Sequence, residues 1–386
     1  MARCSLFLRL APPVAVLALL WALVPQAGSP ATELQAHARL LLNLFGVLPK
    51  VRDGKYGQRE PPARRPSDGG VPEVQGFVDP RTFKEKYLWK GPVVFRGAAT
   101  AAFGFDLGCL AGPNATDAEA MEALIREMGE SKVRVFKDQY DDASAEYMTI
   151  KRYADLAERA KVDPSEPTPY ARAYPQNSMP RCQPVPSERM KQYRSLFGWA
   201  AQSYLPEPDT SVVFASFSEG TNTKMHMDIG DTLFTQVYGR KRWLLAGPEY
   251  ATSLKIYGDR LNLVYISGFD VHREPLPDEV FVQEVILNPG DVLYFPPMTF
   301  HSAYNLDPVV IGIDNAAFDA AGSFLRHWLL TSTTLFNPRI VYKTLAMLAK
   351  TGSFTCTELY FDGFSSKSKE RPAAEEEAAP SQRVVG

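Results

Sequence analysis

The chain has 386 residues, of which 45% are hydrophobic and 22% charged, and this excludes collagen-like, coiled-coil and wholly disordered architectures. The 42 Lys and Arg against 44 Asp and Glu leave a net charge of −2, so no basic excess marks a nucleic-acid binder. Cys4, Cys109, Cys182 and Cys356 show no CxxC spacing and point to neither zinc nor a redox motif.

In chain order, Arg3 and Arg9 precede an apolar run from Val14 to Val24 and then the small-residue stretch Gln26-Ala27-Gly28-Ser29. This predicts a signal peptide over residues 1–29 cleaved near Ser29, because the run is only about half the ~20 residues that a membrane span needs. If uncleaved, the same segment would be a membrane anchor. The expected localisation is the secretory pathway, either the endoplasmic reticulum lumen or the outside of the cell. There Asn114-Ala115-Thr116 becomes a glycosylation sequon, and Cys109 with Cys182 is one conceivable bridge. Residues 30–75 read as an N-terminal helix, with Leu34, Leu40, Leu41, Leu44 and Leu48 near helical spacing, followed by a linker rich in Arg, Pro and Gly from Val51 to Gln75.

Thr116 is placed to cap a helix carrying Met121, Leu124, Ile125 and Met128 that ends near Gly129, and Thr149 to cap a second helix over residues 149–160. From Ser211 to Phe318 short apolar or alternating runs are divided by Gly, Pro and Asn, as in successive antiparallel strands. Residues 319–362 return to helical texture, divided by Pro338, and 363–386 read as a disordered tail. The fold expected is mainly β with flanking helices.

The strand block carries the chemistry. In His226-Met227-Asp228 the side-chain alternation of a strand points His226 and Asp228 to one side. Among five histidines, His301 follows the run Pro289-Gly290-Asp291-Val292-Leu293-Tyr294-Phe295-Pro296, a turn, an apolar strand and a proline stop. Two histidines and a carboxylate would form the facial triad of non-haem Fe(II) oxygenases. An isolated His-x-Asp is equally compatible with a histidine satisfying a core hydrogen bond. Lys241 shares parity with Trp243 and Leu245, which leaves two placements open: inside the sheet, where a carboxylate must meet it, or solvated at a hairpin tip beside Gly239.

Taken together, Thr223-x-x-His226-x-Asp228, Phe234-x-Gln236-Val237-x-Gly239-x-Lys241-Arg242-Trp243, the Pro289–Pro296 run ending at His301, and Asn315 resemble the JmjC or cupin-type Fe(II)/2-oxoglutarate dioxygenases, in their asparaginyl-hydroxylase-like branch. The opening Asp79-Pro80, Phe83, Tyr87 and Gly91–Gly97 is similar to the start of that domain, so the resemblance spans residues 76–318. It implies a double-stranded β-helix core (jelly-roll or cupin, JmjC-type), with His226, Asp228 and His301 as iron ligands. Lys241 would pair with the distal carboxylate of the cosubstrate 2-oxoglutarate and Thr223 would donate a hydroxyl to it. Asn315, on the parity of Ile311 and Ile313, would face the barrel interior, and Tyr170 would also contact the cosubstrate, with Tyr174 its competitor. Thr232 departs from the branch, which carries asparagine there.

The implied function is hydroxylation of a polypeptide side chain in the secretory pathway. A non-catalytic lumenal binding module of the same fold is the alternative, and the joint presence of the triad and Lys241 counts against it. Hydroxylation of a modified tRNA base is disfavoured by the balanced charge. The helices of 319–350 resemble in position those through which relatives form homodimers.

Overall fold

The computed structural model describes residues 69–99, 114–136, 145–162, 170–175, 212–258 and 264–317, with short gaps inside these spans, and Arg326, His327, Thr331, Val341, Tyr342 and Leu345. The expectations for the signal segment, the first helix, the cysteines and the C-terminal tail lie outside these residues. Among the described residues no helix is long and apolar enough to cross a membrane.

Two seven-stranded sheets form the core. The first is ordered β1 (Gly69–Gly70), β14 (Gln283–Leu287), β11 (Lys241–Ala246), β16 (Phe300–Asn305), β9 (His226–Asp228), β13 (Val264–Ile266) and β12 (Tyr257–Gly258). The second is ordered β2 (Glu73–Gln75), β3 (Val93–Arg96), β15 (Val292–Phe295), β10 (Asp231–Tyr238), β17 (Val310–Ala317), β8 (Val212–Ser216) and β7 (Tyr174–Pro175). A three-stranded sheet of β5 (Ala145–Thr149), β4 (Lys132–Phe136) and β6 (Tyr170–Arg172) completes the strands. The helices α1 (Pro80–Lys86), α2 (Asp117–Met128) and α3 (Ile150–Val162) flank them. This is the jelly-roll arrangement of a cupin core, in which β9, β10 and β11, and again β14, β15, β16 and β17, alternate between the two sheets.

Burial sorts into three apolar layers. Val94, Phe234, Leu293 and Phe295 of the second sheet pack with Trp243, Leu245, Val285, Leu287 and Ala303 of the first, and this is the barrel interior. Leu233, Val237, Tyr294, Ile311 and Ile313, on the other face of the second sheet, pack under Phe83 of α1, Leu124 and Met128 of α2 and Tyr153 of α3. Met225, Met227, Leu244, Tyr265 and Phe300, on the outer face of the first sheet, pack with Met298, Leu254 and Ile256. Because the second sheet is covered on both faces, β10 is buried along most of its length rather than alternating between buried and exposed.

Local signals act as the sequence suggests. Thr116 and Glu119 form a reciprocal capping box at the start of α2, and the Thr149 hydroxyl accepts from Arg152 N at 3.2 Å at the start of α3. Asp291, after Gly290, accepts from Asn288 N at 2.9 Å and Gly97 N at 3.0 Å and pairs with Arg96 at 2.6 Å, tying the turn before β15 to the end of β3. Residues 69–75, whose composition suggests a linker, instead add parallel edge strands to both sheets. Edge strands leave one side and much of both faces to solvent, so polar composition there does not separate strand from loop.

The corner at Gly239 decides how the site is built. Here the chain passes from β10 in the second sheet to β11 in the first, so β10 and β11 are not paired as a hairpin. Gly239 has φ +66°, and a Cβ there would stand 2.2 Å from Val309 O. Arg240 takes the exposed corner, with its N–H and guanidinium held by Asp307 at 2.6 and 2.8 Å.

Candidate metal centre

His226 and His301 lie directly opposite each other on the antiparallel pair β9 and β16, with ring centroids 4.1 Å apart. Asp228, two residues along β9, shares the face of His226. Its Oδ2 lies 3.9 Å from His226 Nε2 and 3.8 Å from His301 Nε2, and the three ligand atoms all fall within 4.8 Å of one another. The histidines are buried, whereas the Asp228 side chain is 34% exposed, so the cluster opens at one end of the barrel.

Backbone carbonyls set the imidazole tautomers. His226 Nδ1 lies 2.6 Å from Lys224 O and His301 Nδ1 lies 2.9 Å from Thr299 O. A carbonyl only accepts, so each Nδ1 carries a hydrogen, and Nε2, turned toward the Asp228 carboxylate, is the atom left to ligate a metal. Carbonyl-oriented imidazoles beside one carboxylate form a donor set that fits a divalent transition-metal ion.

Lys241 takes the interior placement. It is 4% exposed, sits opposite Leu287 and Asn305, and points its Nζ over Phe234 at 4.9 Å, Trp243 at 5.8 Å and Phe214 at 6.0 Å. Among the described residues no carboxylate lies within ion-pair distance. Burial pushes the Lys241 ammonium down to about 7, opposed only in part by the charge of Asp314. Gly312, opposite Gln236 on β17, leaves room for the Phe234 ring, since a Cβ there would meet Phe234 Cζ at 2.2 Å.

Thr223 is buried where the chain pairs with Ala303, and its Oγ1 accepts from Ala303 N at 2.8 Å, which leaves the hydroxyl hydrogen to donate elsewhere. Thr232 is buried on the Phe234 face of β10. In the β10–β17 register Asn315 stands opposite Leu233, and Asp314 stands opposite Phe234. Tyr170 lies on β6 of the small sheet, opposite Phe136, while Tyr174 lies on β7, opposite Val213 at the edge of the second barrel sheet.

Phe214, Asp231 and Trp89 carry no motif in the sequence, whereas Phe234, Trp243 and Tyr294 belong to the runs named above. Phe214, Phe234 and Trp243 enclose Lys241, and the signal for them is their shared parity once the corner is known. Tyr294 donates to Asp231 at 2.7 Å beneath Trp89, a buried network with no local motif. A pocket of about 300 Å³ opens beside the turn that precedes His301, lined by Trp89, Tyr250, Phe281, Gln283, Thr299 and Arg326 among others.

Comparison with known proteins places these features in context. The sequence model of the cupin-like domain matches residues 80–315, more than half of the chain. Among curated proteins, tRNA wybutosine-synthesizing protein 5 of Danio rerio is 36% identical over 105 residues, covering 27% of this chain and 32% of that protein. HSPB1-associated protein 1 of Rattus norvegicus is 36% identical over 107 residues, 25% of this chain and 22% of that protein. Jumonji C domain-containing protein 5 of Drosophila melanogaster is 35% identical over 86 residues, 21% of each. The chain thus spans about a third or less of the length of these relatives.

Proposed function

The chain belongs to the cupin-like domain family, and on that premise we propose that it is an Fe(II)/2-oxoglutarate-dependent oxygenase that hydroxylates a substrate C–H bond. The observation that carries the reading is the convergence of His226 Nε2 and His301 Nε2 on one oxygen of Asp228, in a barrel that also buries Lys241. Iron bound there would supply O2 activation coupled to oxidative decarboxylation of 2-oxoglutarate.

The remaining work falls to side chains of the chain itself. Lys241 pairs with the distal carboxylate of 2-oxoglutarate, and the aromatic rings around it keep water out and so strengthen that contact. Thr223, its lone pair already engaged by Ala303 N–H, donates its hydroxyl hydrogen to the same carboxylate. Asp228 is the most exposed of the three ligands, so substrate approaches from its end of the barrel.

The substrate in this reading is a polypeptide side chain met in the secretory pathway. It is supported by the resemblance to protein hydroxylases, by the signal-like sequence at Arg3–Ser29 and by an exposed Asn114 in the sequon. The relatives named tRNA wybutosine-synthesizing protein 5 favour a second substrate, a modified tRNA base. One experiment separates them: purified protein with iron, ascorbate and 2-oxoglutarate is offered a denatured secretory proteome or bulk tRNA. Succinate release with +16 mass shifts on peptides supports the first. Shifts confined to nucleosides support the second, and no oxygen-dependent succinate with either overturns the oxygenase.

A further inference from the structure

The turn Pro296–Thr299 has a residue that its backbone does not favour. Met298 has φ +61°, with Pro297 before it and Thr299 N bonded to Pro296 O at 3.3 Å. This is a turn with proline at the second position and a left-handed residue at the third, where glycine or asparagine is the strain-free choice. A methionine held there pays in conformational strain, and such strain persists only where the surroundings over-determine it.

The surroundings are the metal cluster. Met298 N–H donates to Asp228 O at 2.8 Å, and the next residue, Thr299, receives His301 Nδ1–H on its carbonyl at 2.9 Å. Two adjacent residues thus hold two of the three ligands, which come from different strands. The Thr299 hydroxyl closes the turn on Pro296 O at 2.8 Å. The Met298 side chain is fully buried and packs in the cluster of Met225, Met227, Leu244 and Phe300 on the outer face of the sheet that bears the ligands. Glycine would relieve the backbone but remove this anchor.

We propose that Met298 is a positioning residue: its buried side chain locks the strained Pro296–Thr299 turn, which sets Asp228 and His301 at their mutual distance for metal binding. The proposal rests on the metal-centre reading and is tested by metal affinity rather than by turnover. Co(II) is titrated into metal-free protein, following its visible absorption, and thermal unfolding is recorded for the same samples. Met298→Gly is expected to bind Co(II) about 10- to 100-fold more weakly with an altered spectrum, the scale of losing a second layer of ligand support. Met298→Leu, which keeps the anchor volume, is expected to match the parent. Leu244→Ala, in the same cluster with no bond to a ligand, is expected to lower the unfolding temperature without changing Co(II) affinity.

Parental Co(II) affinity and spectrum in Met298→Gly would overturn the proposal, as would an equal loss of affinity in Leu244→Ala, and either outcome leaves the metal centre standing. Failure of the parent protein itself to take up Co(II) would remove the metal-centre reading and this proposal together.

Discussion

At one end of the barrel His226, Asp228 and His301 bring two imidazoles and one carboxylate together, each imidazole oriented by a carbonyl two residues earlier in its own chain segment. Around Lys241, a single cation is enclosed by Phe214, Phe234 and Trp243 with no carboxylate at ion-pair distance among the described residues. The first cluster is polar and partly open, and the second is dry. The difference teaches that the two ends await different partners. The donor set of the ligand cluster suits a cation and the buried Lys241 ammonium suits an anion, so the proposed metal-bound dicarboxylate would meet both.

The sharpest way to break this comparison is at the ligand end. Asp228→Ala removes the one anionic ligand and is expected to abolish iron retention and 2-oxoglutarate turnover while leaving unfolding temperature nearly unchanged, since the strands are paired and packed without the ion. Iron stoichiometry after gel filtration and succinate release measure it. Normal values in this variant would rule out the triad.

At the other end Lys241→Met is expected to act in opposite directions on binding and stability. Losing a charge-assisted contact in a desolvated site costs about 2–5 kcal/mol of affinity, at least a ~30-fold higher 2-oxoglutarate requirement. The ligand-free protein, by contrast, is expected to become more stable, because it no longer buries an amine whose charged form is disfavoured. Calorimetric unfolding with and without 2-oxoglutarate reads both effects. An unchanged 2-oxoglutarate requirement would mean that the anion of the second chamber is something else.

How much of this was legible beforehand depends on whether the signal was local. The Thr116 cap of α2 and the turn at Pro289-Gly290-Asp291 are set by residues within four positions of one another, and they formed where the sequence placed them. The His226–Asp228 alternation is local too. The side to which Lys241 points was not, because it depends on whether Gly239 closes a hairpin or turns a corner between sheets, and that is decided by where β11 finds its partners β14 and β16. The strands at 69–75 were hidden by their polar edge composition, and the left-handed Met298 by a residue type that does not announce that conformation.

A pH series sharpens the Lys241 end. Burial lowers the ammonium to about 7 in the ligand-free protein, and a bound carboxylate raises it again. Between those two values binding takes up a proton, so 2-oxoglutarate affinity is expected to be flat below pH 7 and to fall by up to about tenfold per unit above it. Stability of the ligand-free protein runs the other way. The unfolded chain keeps its lysine protonated up to about 10.5, so the contribution of this group to stability rises with pH from about 7 toward 10.5. Titration calorimetry in buffers of different ionisation enthalpy counts the proton directly. Lys241→Met should abolish both slopes, and their persistence would assign them to another group.

The smallest effect expected belongs to Thr223, which joins the two chambers through β16. Its Oγ1 accepts from Ala303 N at 2.8 Å, and Ser302 Oγ donates to its carbonyl at 2.6 Å, so the residue is structural whether or not it meets a ligand. Thr223→Val keeps the shape and leaves a buried N–H without an acceptor, at about 1–3 kcal/mol of stability. If the hydroxyl also donates to 2-oxoglutarate, the variant loses a further ~0.5–1.5 kcal/mol of binding, a two- to tenfold rise in the 2-oxoglutarate requirement. Thr223→Ser retains the hydroxyl and should recover the binding effect even if the missing methyl leaves some instability. A Thr223→Val protein that is less stable but binds 2-oxoglutarate like the parent would confine Thr223 to the framework, leaving Lys241 to hold the distal carboxylate without it.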